Sequence, residues 1–177
     1  MLIGITKKLD EKLNIGINKL PDIIPNDIYC WHANFFVWKR RNCIVFINDK
    51  TRFHILLYGV KKEDVKNLSS LFYKQLITNL KGINLHDLYI KKYLSGNDKV
   101  YFTKTTNRSV TGSLKDTIHM LSYDMDNFCS EGYLLQDDLN NHINQYVMIP
   151  LTKLGLPAFP DKAMKNVLEQ LDKSGIN

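Results

Sequence analysis

Hydrophobic and polar positions alternate most clearly between Trp31 and Tyr58. Trp31, Ala33, Phe35 and Val37 fall on one side of an extended chain, and His32, Asn34, Phe36 and Trp38 on the other, because successive strand side chains point to opposite faces. The run Cys43–Ile47 is apolar on both sides, which predicts a central strand covered on both faces. A third run, Arg52–Tyr58, sets Phe53, Ile55 and Leu57 against Arg52, His54, Leu56 and Tyr58. The connections Lys39-Arg40-Arg41-Asn42 and Asn48-Asp49-Lys50-Thr51 are short and rich in turn formers, so the three runs predict an antiparallel meander.

The flanks are read by the same periodicities. Met1–Thr6 predicts a short strand, followed by a helical turn over Lys7–Leu13 and a loop punctuated by Gly16, Pro21 and Pro25. Val65, Leu68, Phe72, Leu76 and Leu80 recur at three- and four-residue steps, which predicts an amphipathic helix over 62–80 that stops at Gly82. A shorter helix over 85–94 and a fourth strand over 100–105 follow. Ser113, three residues before Asp116, reads as the cap of a helix that buries Leu114, Ile118, Leu121 and Met125. Leu135, Leu139, Ile143 and Val147 mark another helix, interrupted near Pro150, and Asp161–Lys173 forms a last one after a hinge-like pause at Pro157–Pro160. The expectation is one α+β domain over residues 1–177. It has a mostly antiparallel sheet of four or five strands, with the meander 31–58 at its centre, covered by several helices. The helical part from about 132 to 177 packs on it.

Composition narrows the function classes. A chain of 177 residues with 44% hydrophobic content can bury a core without disulfides or a structural metal. No apolar run approaches bilayer length, so neither secretion nor membrane insertion is expected. Cys30, Cys43 and Cys129 are odd in number, far apart and never in C-x-x-C spacing, which fits reduced core thiols of a cytoplasmic protein. The net charge of +6 should attract anions such as nucleic-acid phosphates, nucleotides or acidic proteins, yet no block of five or six basic residues concentrates it. Arg40, Arg41, Arg52 and Arg108 are the only arginines among 24 basic residues. Where lysine is the usual cation, an arginine marks a place for the planar guanidinium fork, either as a ligand contact or as an internal clamp.

Several local arrangements carry candidate chemistry. Asn107-Arg108-Ser109 precedes the expected helix start, so Arg108, the Ser109 hydroxyl and backbone N–H groups near Ser113 are placed to hold an anion; a capped helix whose arginine clamps loop carbonyls is the structural alternative. Arg40 and Arg41 occupy a hairpin turn with Trp38 beside them as a stacking surface, or else form a solvated turn. His32 and Asn34 share a strand face and suit a base with an orienting amide, or a satisfied half-buried histidine. Asp49 and Arg52 either face a pocket or make a tight turn. Asp138 with His142 is the only His and acid pair at i, i+4 helical spacing, so no metal site and no cofactor is expected. The phosphate-cradling glycine motifs and the common hydrolase, kinase and deaminase signatures are absent from the sequence.

The segments Trp31–Cys43, Asn48–Phe53 and Lys104–Ser113, with their W-H-A-N, paired-arginine, N-D-x-T-R and N-R-S-V-x-G-S patterns, together resemble an uncharacterised family of bacterial domains. The resemblance covers about residues 1–125 and implies no activity, substrate or cofactor, so it transfers no residue role. Function therefore rests on the residues alone. The first expectation is a binding module for nucleic acid or a phosphorylated small molecule, using Arg40, Arg41, Arg52, Arg108, Ser109, His32 and Asn34. The second is an interaction protein with a protein partner and structural arginine clamps. The third is a hydrolase or transferase with His32, Asn34, Asp49 and Arg108 in one pocket.

Overall fold

The computed structural model describes residues 1–97 and 99–171. A five-stranded mixed sheet in the order β4-β3-β2-β1-β5 forms the middle layer of this α+β structure. Its strands are β1 (Leu2–Ile5), β2 (Cys30–Trp38), β3 (Arg41–Asn48), β4 (His54–Tyr58) and β5 (Tyr101–Lys104). The predicted meander is present: β2 and β3 pair antiparallel from Trp31↔Asn48 to Trp38↔Arg41, and β3 and β4 from Cys43↔Tyr58 to Ile47↔His54. These ladders carry most of the paired residues, so the sheet is mostly antiparallel. The meander does not occupy the centre, however. β4 is an edge, and β1 inserts parallel between β2 and β5, with Gly4 opposite both His32 and Thr103.

Helices cover both faces. On one, α1 (Lys7–Leu13), α2 (Leu68–Gly82) and α3 (Asp87–Leu94) join Trp31, Ala33 and Phe35 of the sheet in the largest core cluster. Phe72 of α2 meets Trp31 edge-on at 5.1 Å and Phe46 at the same distance, and removing such a ring from water contributes about 2 kcal/mol. On the other face, α4 (Arg108–Phe128) packs over β2 and β3, while α5 (Asp137–Ile143) packs against α4, α2 and β4. The short α6 (Ile149–Thr152) and the amphipathic α7 (Pro160–Gln170) complete the fold. No helix among the described residues is long and apolar enough to cross a membrane.

Several boundaries differ from the sequence expectations. The helix expected from residue 62 opens as a 3-10 turn over Lys62–Asn67 before α2 begins. Pro150 does not interrupt a helix but sits in the first turn of α6, where its missing N–H costs nothing. The predicted start at Ser113 is a buried position inside α4, which instead begins at Arg108. The part of the last predicted helix beyond Leu171 lies outside the described residues.

Edge strand β4 is closed by side-chain amides. Leu56 N–H donates to Asn140 Oδ1 at 2.7 Å and Leu56 C=O accepts from Asn140 Nδ2 at 3.0 Å. One helical turn on, Asn144 makes the same pair with His54 at 2.7 and 3.0 Å. At the opposite edge, Asn18 N–H donates to Phe102 C=O at 2.6 Å while its Oδ1 accepts from Phe102 N–H at 3.1 Å. His54 itself is fully buried, bonded through Nε2 to Thr117 Oγ1 at 2.9 Å, with Nδ1 unpartnered. Burial pushes its pKa down to about 3; the nearby Arg52 charge works in the same direction and Asn144 against it.

Two outcomes follow. Asn140→Ala strands an N–H and a C=O on β4 and should cost about 2–4 kcal/mol in urea denaturation. Between about pH 6.5 and pH 3 the unfolded chain holds a proton on His54 that the folded chain refuses, so stability falls on acidification. The slope from this group approaches about 1.4 kcal/mol per pH unit, and urea midpoints measured from pH 7 to 4 should show a shallower decline in His54→Phe.

Candidate functional site

α4 lies over β2 and β3 rather than over the β1–β5 side of that sheet face. Parallel register aligns Leu2, Gly4, Cys30, His32 and Thr103 on this face, where they floor a cavity of about 410 Å³. Leu20, Ile24 and Asp27 wall it from the loop before β2, Asp49 from the β3–β4 turn, and Thr106 to Ser109 from the approach to α4. Gly4 fits because a Cβ there would stand 3.1 Å from Cδ2 and Nε2 of the His32 ring, so glycine lets the imidazole lie against β1.

His32 is 2% exposed, and both its ring nitrogens are engaged. Nδ1 lies 2.7 Å from Asp49 Oδ1, and Nε2 lies 3.1 and 3.2 Å from the backbone nitrogens of Thr106 and Asn107. Backbone amides only donate, so Nε2 is the bare acceptor and Nδ1 carries the proton given to Asp49. The ring thus ties the β3–β4 turn to the start of α4 and has no lone pair left for proton abstraction. Asn107 continues the same cap, its Oδ1 accepting from Ser109 N–H at 3.1 Å and Val110 N–H at 3.3 Å. The helix N–H groups expected near Ser113 are therefore not available to an anion, which leaves side chains to meet one.

Asn48 shapes the turn that carries Asp49 and Arg52. Its Nδ2 donates to Ile28 and Cys30 carbonyls at 2.9 and 3.1 Å, while Oδ1 accepts from Lys50 N–H, Thr51 N–H and the Thr51 hydroxyl. Arg52 then adopts φ 56°, a left-handed conformation that a non-glycine side chain resists. Its guanidinium is buried, with Nη1 donating to the Asp49 carbonyl and Nη2 to Ser109 Oγ at 3.3 Å. Nε has no partner, and among the described residues no carboxylate lies within ion-pair distance. Burial lowers the Arg52 pKa, opposed at longer range by Asp49 and Asp27. Arg52 and Ser109 line a second cavity of about 360 Å³ together with Lys153, Ile149 and Leu154, and Ser109 borders both cavities. Arg108 is exposed at the rim of the first.

The other expected site residues are elsewhere. Arg40 and Arg41 lie at the β2–β3 hairpin, about 20 Å along β2 from His32. That hairpin is a two-residue turn with Lys39 and Arg40 at φ 44° and 61°. Lys39, rather than either arginine, lies 4.3 Å over Trp38, and it pairs with Asp126 and Glu131. Asn34 shares the face of His32 but accepts from Thr6 Oγ1 and Phe35 N–H, both at 2.8 Å, outside the cavity. His142 bonds Asp124 at 3.0 Å and stacks on Phe128, and no group of three or more His, Cys, Asp or Glu among the described residues is placed to hold a metal. Burial, with Asp49 and Asp27 adding to it, pushes the Cys30 thiol up to about 12, far from thiolate chemistry. Asp27, Thr106 and Lys153, and the capping role of Asn107, lie outside the sequence expectations. A glycine inside an apolar strand and an asparagine ahead of Arg-Ser were the available signals for Gly4 and Asn107.

A family model for a domain of unknown function, DUF6933, matches residues 2–163. The chain belongs to that family. No curated protein and no solved structure matches it. The stretch shared with DUF6933 runs from β1 into α7 and includes every residue of both cavities.

Replacing His32 by Leu removes the acceptor for two amides and the donor to Asp49. We expect a loss of about 2–4 kcal/mol in denaturation and faster amide hydrogen exchange at Thr106 and Asn107.

Proposed function

We propose that this DUF6933 member is a binding module for a small anionic ligand, a phosphorylated one above all, seated where Arg108, Ser109 and Arg52 meet. The observation that carries the reading is the Arg52 guanidinium, buried with an unpartnered Nε and no carboxylate beside it. Burying a cation without a paired charge is costly, and an anion at Ser109 would supply the missing countercharge. Arg108 and Lys153 add exposed positive charge on either side of Ser109. Separation of Arg40 and Arg41 from this point favours a compact ligand over a nucleic-acid strand laid along all the arginines. An enzyme centred on His32 has less support, since both ring nitrogens are occupied. An interaction protein finds its support in the exposed Ile17, Leu20, Ile23 and Ile24 of the loop before β2. The free thiols fit a cytosolic site of action in a bacterium, as the initial family resemblance implies.

Titration calorimetry with pyrophosphate tests the reading. Arg108→Ala should weaken binding about tenfold or more and leave the urea midpoint unchanged, since the side chain is exposed. The Arg40→Ala, Arg41→Ala double variant should bind as the native chain does, and added salt should weaken both. Loss of binding in the hairpin variant alone would move the site to the other end of the sheet.

A further inference from the structure

The first cavity carries a feature that a bare phosphate does not use. Asp27 and Asp49 stand in its wall, and a free polyanion placed beside two carboxylates is repelled. The Asp49 carboxylate gives one oxygen to His32, and among the described residues its other oxygen has no donor and the exposed Asp27 no side-chain partner. These oxygens accept only, so the part of the ligand that meets them must present hydroxyl or amino hydrogens. Leu2, Leu20 and Ile24 form an apolar stretch of the same wall, which hydroxyls do not satisfy but the face of a ring does. The positive groups Arg108, Arg52 and Lys153 begin at Ser109, the residue that borders both cavities. The surface around Ser109 thus combines an apolar wall, a pair of carboxylate acceptors and a cluster of cations. At about 410 Å³, the first cavity is of the size that holds a small molecule rather than a side chain.

We infer that the ligand is a nucleoside phosphate. Its base lies against Leu2, Leu20 and Ile24, its ribose hydroxyls donate to Asp27 and Asp49, and its phosphate meets Arg108, Ser109 and the buried Arg52. A sugar phosphate would leave the apolar wall without a partner, and an acyl phosphate would leave the carboxylates without donors. This inference rests on the anionic-ligand reading and narrows it to one chemical class.

Calorimetry with pyrophosphate, ribose 5-phosphate, adenosine and the four common ribonucleoside monophosphates distinguishes the two levels. At least one nucleoside monophosphate should bind about tenfold tighter than ribose 5-phosphate or pyrophosphate. Asp27→Asn should weaken that nucleotide about tenfold while pyrophosphate binds as well or better, because a repelling charge is gone. Ile24→Ser should weaken the nucleotide but not ribose 5-phosphate; both side chains are exposed, and an unchanged urea midpoint verifies the fold. If pyrophosphate binds through Arg108 and no nucleotide gains on ribose 5-phosphate, the nucleotide inference is overturned and the anionic-ligand reading stands. If none of the phosphate compounds binds, both fall together.

Discussion

A β-sheet ends on each side in a row of backbone N–H and C=O groups with no strand to pair with, and leaving them buried and unmatched costs more than most contacts return. Here asparagine supplies the missing pairs. Its side-chain amide carries the same donor and acceptor as a peptide unit, so Asn140 and Asn144 act on β4 as two residues of an absent strand. The geometry permits it because four residues of helix rise about 6.0 Å and two residues of strand about 6.6 Å, so an i, i+4 pair matches an i, i+2 pair. Asn79 of α2 adds a bond to the His54 carbonyl and another to Asn140, which locks α2, α5 and β4 together.

The candidate site inherits its shape from the same chemistry. Asn18 fastens the loop before β2 to the β5 edge, which brings Leu20, Ile24 and Asp27 over the open part of the sheet. Asn48 fills its hydrogen-bonding capacity inside the β3–β4 turn and so fixes Asp49 and the left-handed Arg52. Asn107 and His32 between them satisfy the amides leading into α4, which places Arg108 and Ser109 at the rim. Each wall of the cavity is thus held in place by an amide or an imidazole. The exposed Arg108, the Ser109 hydroxyl and the second Asp49 oxygen remain to meet a ligand, with the charge of the buried Arg52 behind Ser109.

Alternation and three- to four-residue periodicity along the chain were enough to locate β2, β3, β4, α2, α3, α4, α5 and α7, since those patterns follow from the strand and helix repeats themselves. The scarcity of arginine pointed to Arg52 and Arg108, and the shared strand face of His32 and Asn34 was readable from their spacing. Arg40 and Arg41 carried the same compositional signal and lie at the far hairpin, because successive turns of an antiparallel meander fall at opposite ends of its strands. The cap of α4 was misplaced by several residues because Asn107 and Ser113 are both good cap formers, and the choice between them was made by the position of β5 and His32.

By itself, then, the sequence determined an α+β layering, the antiparallel meander, the apolar faces of the helices and the short inventory of polar residues worth following. Only tertiary structure decided that β1 lies parallel between β2 and β5, that His32 spends both nitrogens as a strut, and that Arg52 is buried beside Ser109. The physical reason is range. Local periodicity records which side of an element turns away from water, whereas parallel pairing and the partners of a buried amide or guanidinium join residues dozens of positions apart, and no local pattern encodes that choice.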